Sequence, residues 1–156
     1  MKLVDAHIHL SDAEYAKFTD ELVADAKNSN VVALVSNSMD LETSIGSLKL
    51  AEKYLGAVYP ALGIHPWNVN LLKENELEKT VELISEQSQK KNVVAISEIG
   101  LDYKYEKIWK EKLIVFDKML RLAEKLDLPA IIHSRGTTAQ IVDMLPSYSL
   151  RRVLLH

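Results

Sequence analysis

The positions of the histidines constrain the fold of this chain more than any other feature of its sequence. Each of the five histidines lies at the end of an apolar, strand-like run, and a further run, 93–98, ends on a carboxylate. In a parallel β/α array the carboxyl ends of the strands face the same side and carry the functional groups. Imidazole and carboxylate groups are ligands of divalent metals. The sequence therefore predicts that these strand ends converge on one metal centre, with candidate groups on His7, His9, His65, Glu98, His133 and His156.

The rest of the chain alternates between helix-like and strand-like segments. Apolar residues recur with the helical period over 12–28, 40–55, 77–84, 109–126 and 138–145. Short apolar runs, typical of strands, occupy 3–9, 31–35, 57–64, 93–98, 130–133 and 153–156. This alternation predicts right-handed βαβ crossovers and a parallel sheet that is covered on both faces.

The number of strands bears on the architecture. No linker, low-complexity segment or charge block divides the 156 residues, so we expect one domain over 1–156. A closed barrel of eight parallel strands typically needs ~250 residues. The expected fold class is therefore α/β, either as an open sheet or as an incomplete TIM-type (β/α) barrel of about six βα strands. In the second case the chain stops before its last strands, and strands one and six have open outer edges.

Composition narrows the range of functions. The chain has no cysteine, which excludes disulfides and thiolate metal sites and leaves nitrogen and oxygen ligands. A net charge of -3 is too small to attract nucleic acid over a distance, although it permits an enzyme that binds a few phosphates in its pocket. The sequence shows no signal peptide and no apolar run of ~20 residues, so we expect a cytoplasmic protein without a membrane span.

The first strand carries the sequence His7-x-His9. Alternate residues of a strand point to the same face, so two imidazoles at this spacing can bind one metal ion. Asp5 adds a third polar group to the same face, and burial of three polar groups without a ligand is unfavourable. The alternative interpretation is two histidines of the core or surface that alternate by chance. We favour the metal site.

Glu98 ends the fourth predicted strand, between strands that end in histidine. A lone glutamate at such a position more often forms a salt bridge, but a carboxylate among histidines can bridge two cations. Asp102 follows four residues later and either orients a histidine from behind or caps the loop.

Three residues in the predicted loops are candidates for substrate binding. Arg135 follows His133 and Ser134, and its guanidinium suits the bidentate binding of phosphate; the alternative is a surface salt bridge. His65 is a metal ligand, a hydrogen-bond donor to phosphate or a turn histidine, and we favour contact with phosphate or substrate. Trp67 either stacks on a base or is a half-buried aromatic residue of the loop.

Five motifs in this order resemble the TatD-type metal-dependent deoxyribonucleases, which belong to the amidohydrolase-like barrels. They are His7-x-His9, Gly63-Ile64-His65-Pro66, Glu98-Ile99-Gly100-Leu101-Asp102-Tyr103, Pro129-Ala130-Ile131-Ile132-His133-Ser134-Arg135 and Val153-Leu154-Leu155-His156. The resemblance covers the whole chain. Its departures are Gly136, where the family usually carries an acid, and the metal-binding aspartate that the family places after its sixth-strand histidine, which this sequence lacks.

The resemblance implies two divalent metal ions, whether Mg, Mn or Zn. It implies that His7, His9 and Glu98 bind one ion, that Glu98, His133 and His156 bind the other, and that His65 and Arg135 contact the substrate. Glu98 and Arg135 are then the catalytic residues. The implied activity is hydrolysis of phosphodiester bonds in DNA, or in another phosphodiester partner, by a water that the two metals activate.

Two alternatives to this hypothesis stay open. One is a different metallohydrolase that acts on another small ester or amide; relatives of that kind often bridge their metals with a carbamylated lysine at a strand end, where this chain has Glu98. The other is a fragment with impaired catalysis, in which the histidines only bind metal or pack.

Overall fold

Six parallel strands form one sheet in this computed structural model, which describes residues 1–104 and 108–156. The spatial order of the strands follows the chain from β1 to β6, so each strand pairs with its neighbours in sequence. The strands are β1 (Leu3–Ile8), β2 (Val31–Asn37), β3 (Val58–Leu62), β4 (Ala95–Asp102), β5 (Ala130–Arg135) and β6 (Val153–Leu155).

A helix connects each strand to the next along the chain, as the sequence pattern predicts. The helices are α1 (Thr19–Asn28), α2 (Leu41–Lys53), α3 (Glu76–Gln89), α4 (Trp109–Leu126) and α5 (Thr138–Met144). Asp40 begins α2 with a capping box, because its side chain accepts a hydrogen bond from the Thr43 N–H while the Thr43 hydroxyl oxygen accepts one from the Asp40 N–H. The described part of the chain contains no helix long and apolar enough to cross a membrane.

The main core lies between the central strands and α4. Val115, Phe116, Met119, Leu120 and Ala123 are buried on one face of α4, at the spacing of an amphipathic helix. They pack against β4, in which all eight residues are buried, and against the apolar part of β5. This packing holds β4 and β5 rigidly at the centre of the sheet.

The two outer strands are not paired with each other. Within the described residues β1 pairs with β2 alone and β6 with β5 alone, so the sheet is open, as expected for an incomplete barrel. The sheet is nevertheless curved, as shown by the distance of 3.8 Å between the ring centre of His7 in β1 and that of His156 just after β6. The carboxyl ends of the outer strands therefore approach each other around one site.

Two expectations about element boundaries were wrong. A single helix was expected over 12–28, but a short turn at Ala13–Tyr15 precedes α1, because the Asp12 carboxylate accepts the Glu14 N–H and closes that turn. The fourth strand was expected to end at Glu98, but β4 continues to Asp102 and pairs with β5 as far as Arg135. Glu98 therefore lies in the middle of β4, next to a shift of register between Ile96 and Ile99.

Candidate metal centre

All five histidines lie toward the carboxyl end of the sheet, and they surround Glu98, which is in the middle of β4. His7 and His133 belong to β1 and β5, His9 and His156 follow β1 and β6 directly, and His65 lies three residues beyond β3. Neighbouring parallel strands are ~4.8 Å apart, so strand ends that are distant in sequence become close in space. The structure thus brings the predicted residues around the Glu98 carboxylate.

The two oxygens of Glu98 face different pairs of imidazoles. Oε2 lies 3.0 Å from Nε2 of His9 and 3.3 Å from Nε2 of His7. Oε1 lies 3.0 Å from Nδ1 of His133 and 3.6 Å from Nε2 of His65. The side chain of Glu98 is 1% exposed, so these imidazoles replace water around the carboxylate.

The imidazoles keep Glu98 ionised. Burial alone raises the pKa of this carboxyl, but hydrogen bonds from His133, His65, His7 and His9 outweigh burial and hold its pKa far below the usual range. Glu98 is therefore an anion at the centre of four rings, and it attracts positive charge to this point.

The orientation of His9 requires a proton or a metal ion between its ring and Glu98. Nδ1 of His9 lies 2.9 Å from the carbonyl oxygen of Asn37, which can only accept, so Nδ1 carries the proton of the neutral ring. The lone pair on Nε2 then faces Oε2 of Glu98, and two acceptors at this distance need a proton or a metal ion between them. The hydrogen bond with Glu98 raises the pKa of His9, against the effect of burial.

His133 is in a similar position between two carboxylates. Its Nδ1 faces Glu98, and its Nε2 lies 3.1 Å from Oδ2 of Asp102. A neutral imidazole carries one proton, so one of these two contacts needs a further positive charge. Burial lowers the pKa of His133, but hydrogen bonds with Glu98 and Asp102 raise it by more.

His7 supplies the third indication of a cation. Its Nδ1 is buried and finds no hydrogen-bond partner among the described residues, although nearly all buried polar atoms in proteins have one. Ligand atoms of His7, Glu98 and His156 lie within 4.8 Å of one another, and so do those of His65, Glu98 and His133. The residues present therefore fit a divalent metal with nitrogen and oxygen ligands.

The ring of His156 lies at unequal distances from the rings of His7 and His133. The centre of the His156 ring is 6.5 Å from the centre of the His133 ring and 3.8 Å from that of the His7 ring. Burial and the neighbouring His7 lower the pKa of His156, which favours the neutral ring that binds metal.

His65 is oriented as a hydrogen-bond donor toward the site. The backbone N–H of Trp67 lies 3.1 Å from Nδ1 of His65 and donates to it, so Nε2 carries the proton of the neutral ring. Burial lowers the pKa of His65, which keeps that ring neutral. Nε2–H then points at Glu98 and His133, and this supports a contact with substrate over a role as metal ligand.

The other two candidates lie at the rim of the site. Arg135 is exposed at the end of β5, next to Asp102 in the register of the sheet, and makes no ion pair with any residue of 1–104 or 108–156. Trp67 is 41% exposed, stands 4.9 Å from the His65 ring and donates its indole N–H to Asp102. The tryptophan is thus a partly buried residue of the loop that also contacts the metal centre.

Sequence reasoning missed two residues that support the site. Asn37 ends β2, where its carbonyl orients His9 and its side chain accepts a hydrogen bond from Ser97. Lys112 is fully buried on α4 and donates to the Asp102 carbonyl at 3.0 Å. Each of these residues could have been recognised from the sequence. Asn37 is a polar residue at a strand end, and Lys112 is a charged residue on the apolar face of a helix, four residues before Phe116.

A parallel β/α sheet with histidines and a buried glutamate gathered at its carboxyl end is typical of one class of protein, metal-binding proteins with barrel folds. Comparison with known proteins identifies the family within that class. The family described as TatD related DNase matches residues 4–156, so the chain belongs to the TatD related DNase family.

Individual relatives agree with this assignment. The chain is 32% identical to a putative deoxyribonuclease tatdn3 of Danio rerio, over 98% of this chain and 60% of that protein. It is 35% identical to an uncharacterized metal-dependent hydrolase of Methanocaldococcus jannaschii, over 92% of this chain and 55% of that protein. The crystal structure of a TatD homologue, YJJV of Escherichia coli, superimposes with a TM-score of 0.83 and 27% identity, over 93% of this chain and 55% of that one. The chain thus spans between half and two thirds of the length of these relatives.

Proposed function

We propose that this protein is a metal-dependent deoxyribonuclease that hydrolyses phosphodiester bonds. The observation that carries the proposal is the Glu98 carboxylate, which is buried and lies within 3.6 Å of four imidazoles from three other segments. The family and the names of its relatives support the choice of DNA as substrate, because one relative is named a putative deoxyribonuclease and another a metal-dependent hydrolase.

We further propose that Glu98 bridges two divalent ions. Its two oxygens face separate pairs of imidazoles, one oxygen toward His7 and His9 and the other toward His133 and His65. Together with Glu98, His7 and His9 would hold one ion, and His133 and His156 would hold the other. When bound, two such ions lower the pKa of a coordinated water and polarise the phosphodiester.

The chain's own residues bind and orient the substrate. The His65 ring presents Nε2–H to the centre, where it donates a hydrogen bond to a non-bridging oxygen of the phosphodiester. Arg135 is exposed at the rim, and its guanidinium binds a phosphate with two parallel hydrogen bonds. The exposed part of Trp67 limits the space beside the phosphate.

The proposal is tested with Glu98→Ala. We expect this variant to lose both the binding of Mn²⁺ or Zn²⁺ by calorimetry and the metal-dependent cleavage of a labelled DNA oligonucleotide, because a bridging carboxylate has no substitute in the site. Glu86→Ala is the control, since Glu86 is an exposed residue of α3 paired with Lys90. Cleavage by Glu98→Ala at nearly the wild-type rate would contradict the bridging role.

Arg135→Ala separates substrate binding from metal binding. We expect it to weaken the affinity for DNA by about 2–3 kcal/mol, because a charge-assisted contact with phosphate is lost, while metal affinity stays unchanged. The measurement is KM for cleavage beside a metal titration of the same sample. An unchanged KM would remove Arg135 from the substrate site.

A further inference from the structure

A buried carboxylate that binds no substrate in the proposed function stands directly behind the metal centre. The side chain of Asp102 is fully buried, although aspartate is rarely buried without a partner. It lies at the end of β4, four residues beyond Glu98, and faces His133 on the neighbouring strand β5.

Both oxygens of this carboxylate are held in place. Oδ1 accepts the backbone N–H of Lys104 at 2.8 Å. Oδ2 accepts the indole N–H of Trp67 at 2.6 Å and lies 3.1 Å from Nε2 of His133. These contacts come from three different segments of the chain, so the carboxylate cannot rotate without losing at least one of them.

The backbone beneath the carboxylate is fixed as well. The ammonium of Lys112, which is also fully buried, donates to the carbonyl oxygen of Asp102 at 3.0 Å. A buried cation beside a buried anion reduces the cost of removing each from water, so this lysine helps to keep Asp102 as a carboxylate. Asp102 is thus a fixed acceptor aimed at a single nitrogen of His133.

A fixed acceptor selects one tautomer of the ring in front of it. A carboxylate accepts hydrogen bonds and donates none, so the proton of neutral His133 is placed on Nε2 and the lone pair on Nδ1. Nδ1 is the nitrogen that faces Glu98, 3.0 Å from Oε1. Outer carboxylates of this kind typically raise the metal affinity of a histidine by about 10- to 100-fold.

We propose that Asp102 is a positioning residue that orients His133 and makes Nδ1 its metal-binding nitrogen, with Trp67 holding the carboxylate in place. The inference rests on the proposed metal centre and adds a residue that touches neither metal nor substrate. It also links the loop of His65 to the centre, because Trp67 contacts the His65 ring, with 4.9 Å between the ring centres, and donates to Asp102.

The test uses the protein loaded with NMR-active cadmium and labelled with isotopic nitrogen in histidine. In the wild type we expect cadmium to couple to Nδ1 of His133 and the proton to remain on Nε2. In Asp102→Asn we expect cadmium affinity to fall about 10- to 100-fold and the Nδ1 coupling to weaken, since an amide can present a donor to Nε2. Coupling through Nε2 in the wild type would overturn the inference.

Asp117→Asn is the matched control. Asp117 is a carboxylate on α4 that accepts from two side chains, Arg121 at 2.9 Å and Tyr148 at 2.6 Å, away from the metal centre. The same chemical change there should leave cadmium affinity and the His133 signals unchanged. Trp67→Phe provides a second variant, and we expect a smaller loss of affinity than in Asp102→Asn, because one of the three contacts to the carboxylate is removed.

The outcomes separate this inference from the proposed function. A wild-type protein that binds no cadmium would remove the metal centre and the role of Asp102 with it. Equal affinity in the wild type and Asp102→Asn would leave the metal centre standing and overturn the positioning role. If Asp102→Asn does not fold, the wild-type coupling pattern and Trp67→Phe still decide the question.

Discussion

The centre and the edges of the sheet contribute to the same site from very different surroundings. At the centre, all eight residues of β4 are buried and β5 begins with three buried residues. At the edges, all three residues of β6 are exposed, and β1 begins with two exposed residues. Glu98 and His133 thus come from the rigid part of the molecule, whereas His7, His9 and His156 come from strands with one unpaired side in the described structure.

This difference indicates that the two sides of the candidate metal centre have different structural support. The half formed by Glu98 and His133 is held by buried packing and by the contacts of Asp102. The half formed by the outer strands depends on a single neighbouring strand on each side. We therefore expect substitutions at the centre to disturb the fold and the site together, and substitutions at the edge to disturb mainly the edge.

The largest difference in the loss of stability is expected between alanine substitutions of two glycines with positive φ. A Cβ on Gly100 in β4 would lie 2.1 Å from the carbonyl oxygen of His133, whereas a Cβ on Gly56 would meet nothing within 4 Å. Gly100→Ala should lower the free energy of unfolding by about 4 kcal/mol or more, because backbone must move, and Gly56→Ala by about 1–2 kcal/mol from strain alone. Urea unfolding of both variants measures this, and similar losses would show that the centre is not more rigid.

The second comparison concerns apolar side chains of neighbouring strands. Ile132 of β5 is fully buried, and Leu154 of β6 is 38% exposed. Ile132→Ala should lower the free energy of unfolding by about 3 kcal/mol, because it leaves a cavity in the core. Leu154→Ala should lower it by about 1 kcal/mol, because the edge is already partly hydrated. Thermal and urea melts check both values, and a larger loss at Leu154 would reverse the proposed order of the two regions.

The smallest loss of stability is expected for Tyr148, which connects the edge of the sheet to its centre. Tyr148 lies between α5 and β6, and its hydroxyl donates to the Asp117 carboxylate of α4 at 2.6 Å. Tyr148→Phe should lower stability by about 1 kcal/mol. Hydrogen exchange should show a greater loss of protection at the His156 N–H, which bonds to Ile132, than in β4. Equal changes in both places would mean that Tyr148 does not hold the edge strand.

The Tyr148 contact also has a defined dependence on pH. Burial and the neighbouring Asp117 raise the pKa of Tyr148 from 10.0 to about 12. A pKa that is raised in the folded state means that the stabilisation is complete below pH 10.0 and is lost as the pH rises through about 12. The stability difference between the wild type and Tyr148→Phe should therefore shrink over that interval, as measured by unfolding at alkaline pH.

Much of the architecture could be predicted from local sequence patterns. The period of the apolar residues predicted α4 at 109–126, where the structure has Trp109–Leu126, and β6 from residue 153. The spatial order of the strands in the sheet could also be predicted, because short βαβ connections place successive parallel strands side by side. The end of β4 could not be predicted, because its last four residues are held in the sheet by pairing with β5 rather than by their own pattern.

The sequence by itself determined the groups that can form the site: five histidines and one glutamate at or near strand ends, in a chain without cysteine. Only the tertiary structure decided how they are used. It placed His7 and His9 on one oxygen of Glu98 and His133 and His65 on the other. It also placed the Asn37 carbonyl behind His9 and Asp102 behind His133. The physical reason is that these contacts join strands 28 to 91 residues apart, so their distances depend on sheet curvature and packing, which no local pattern of residues encodes.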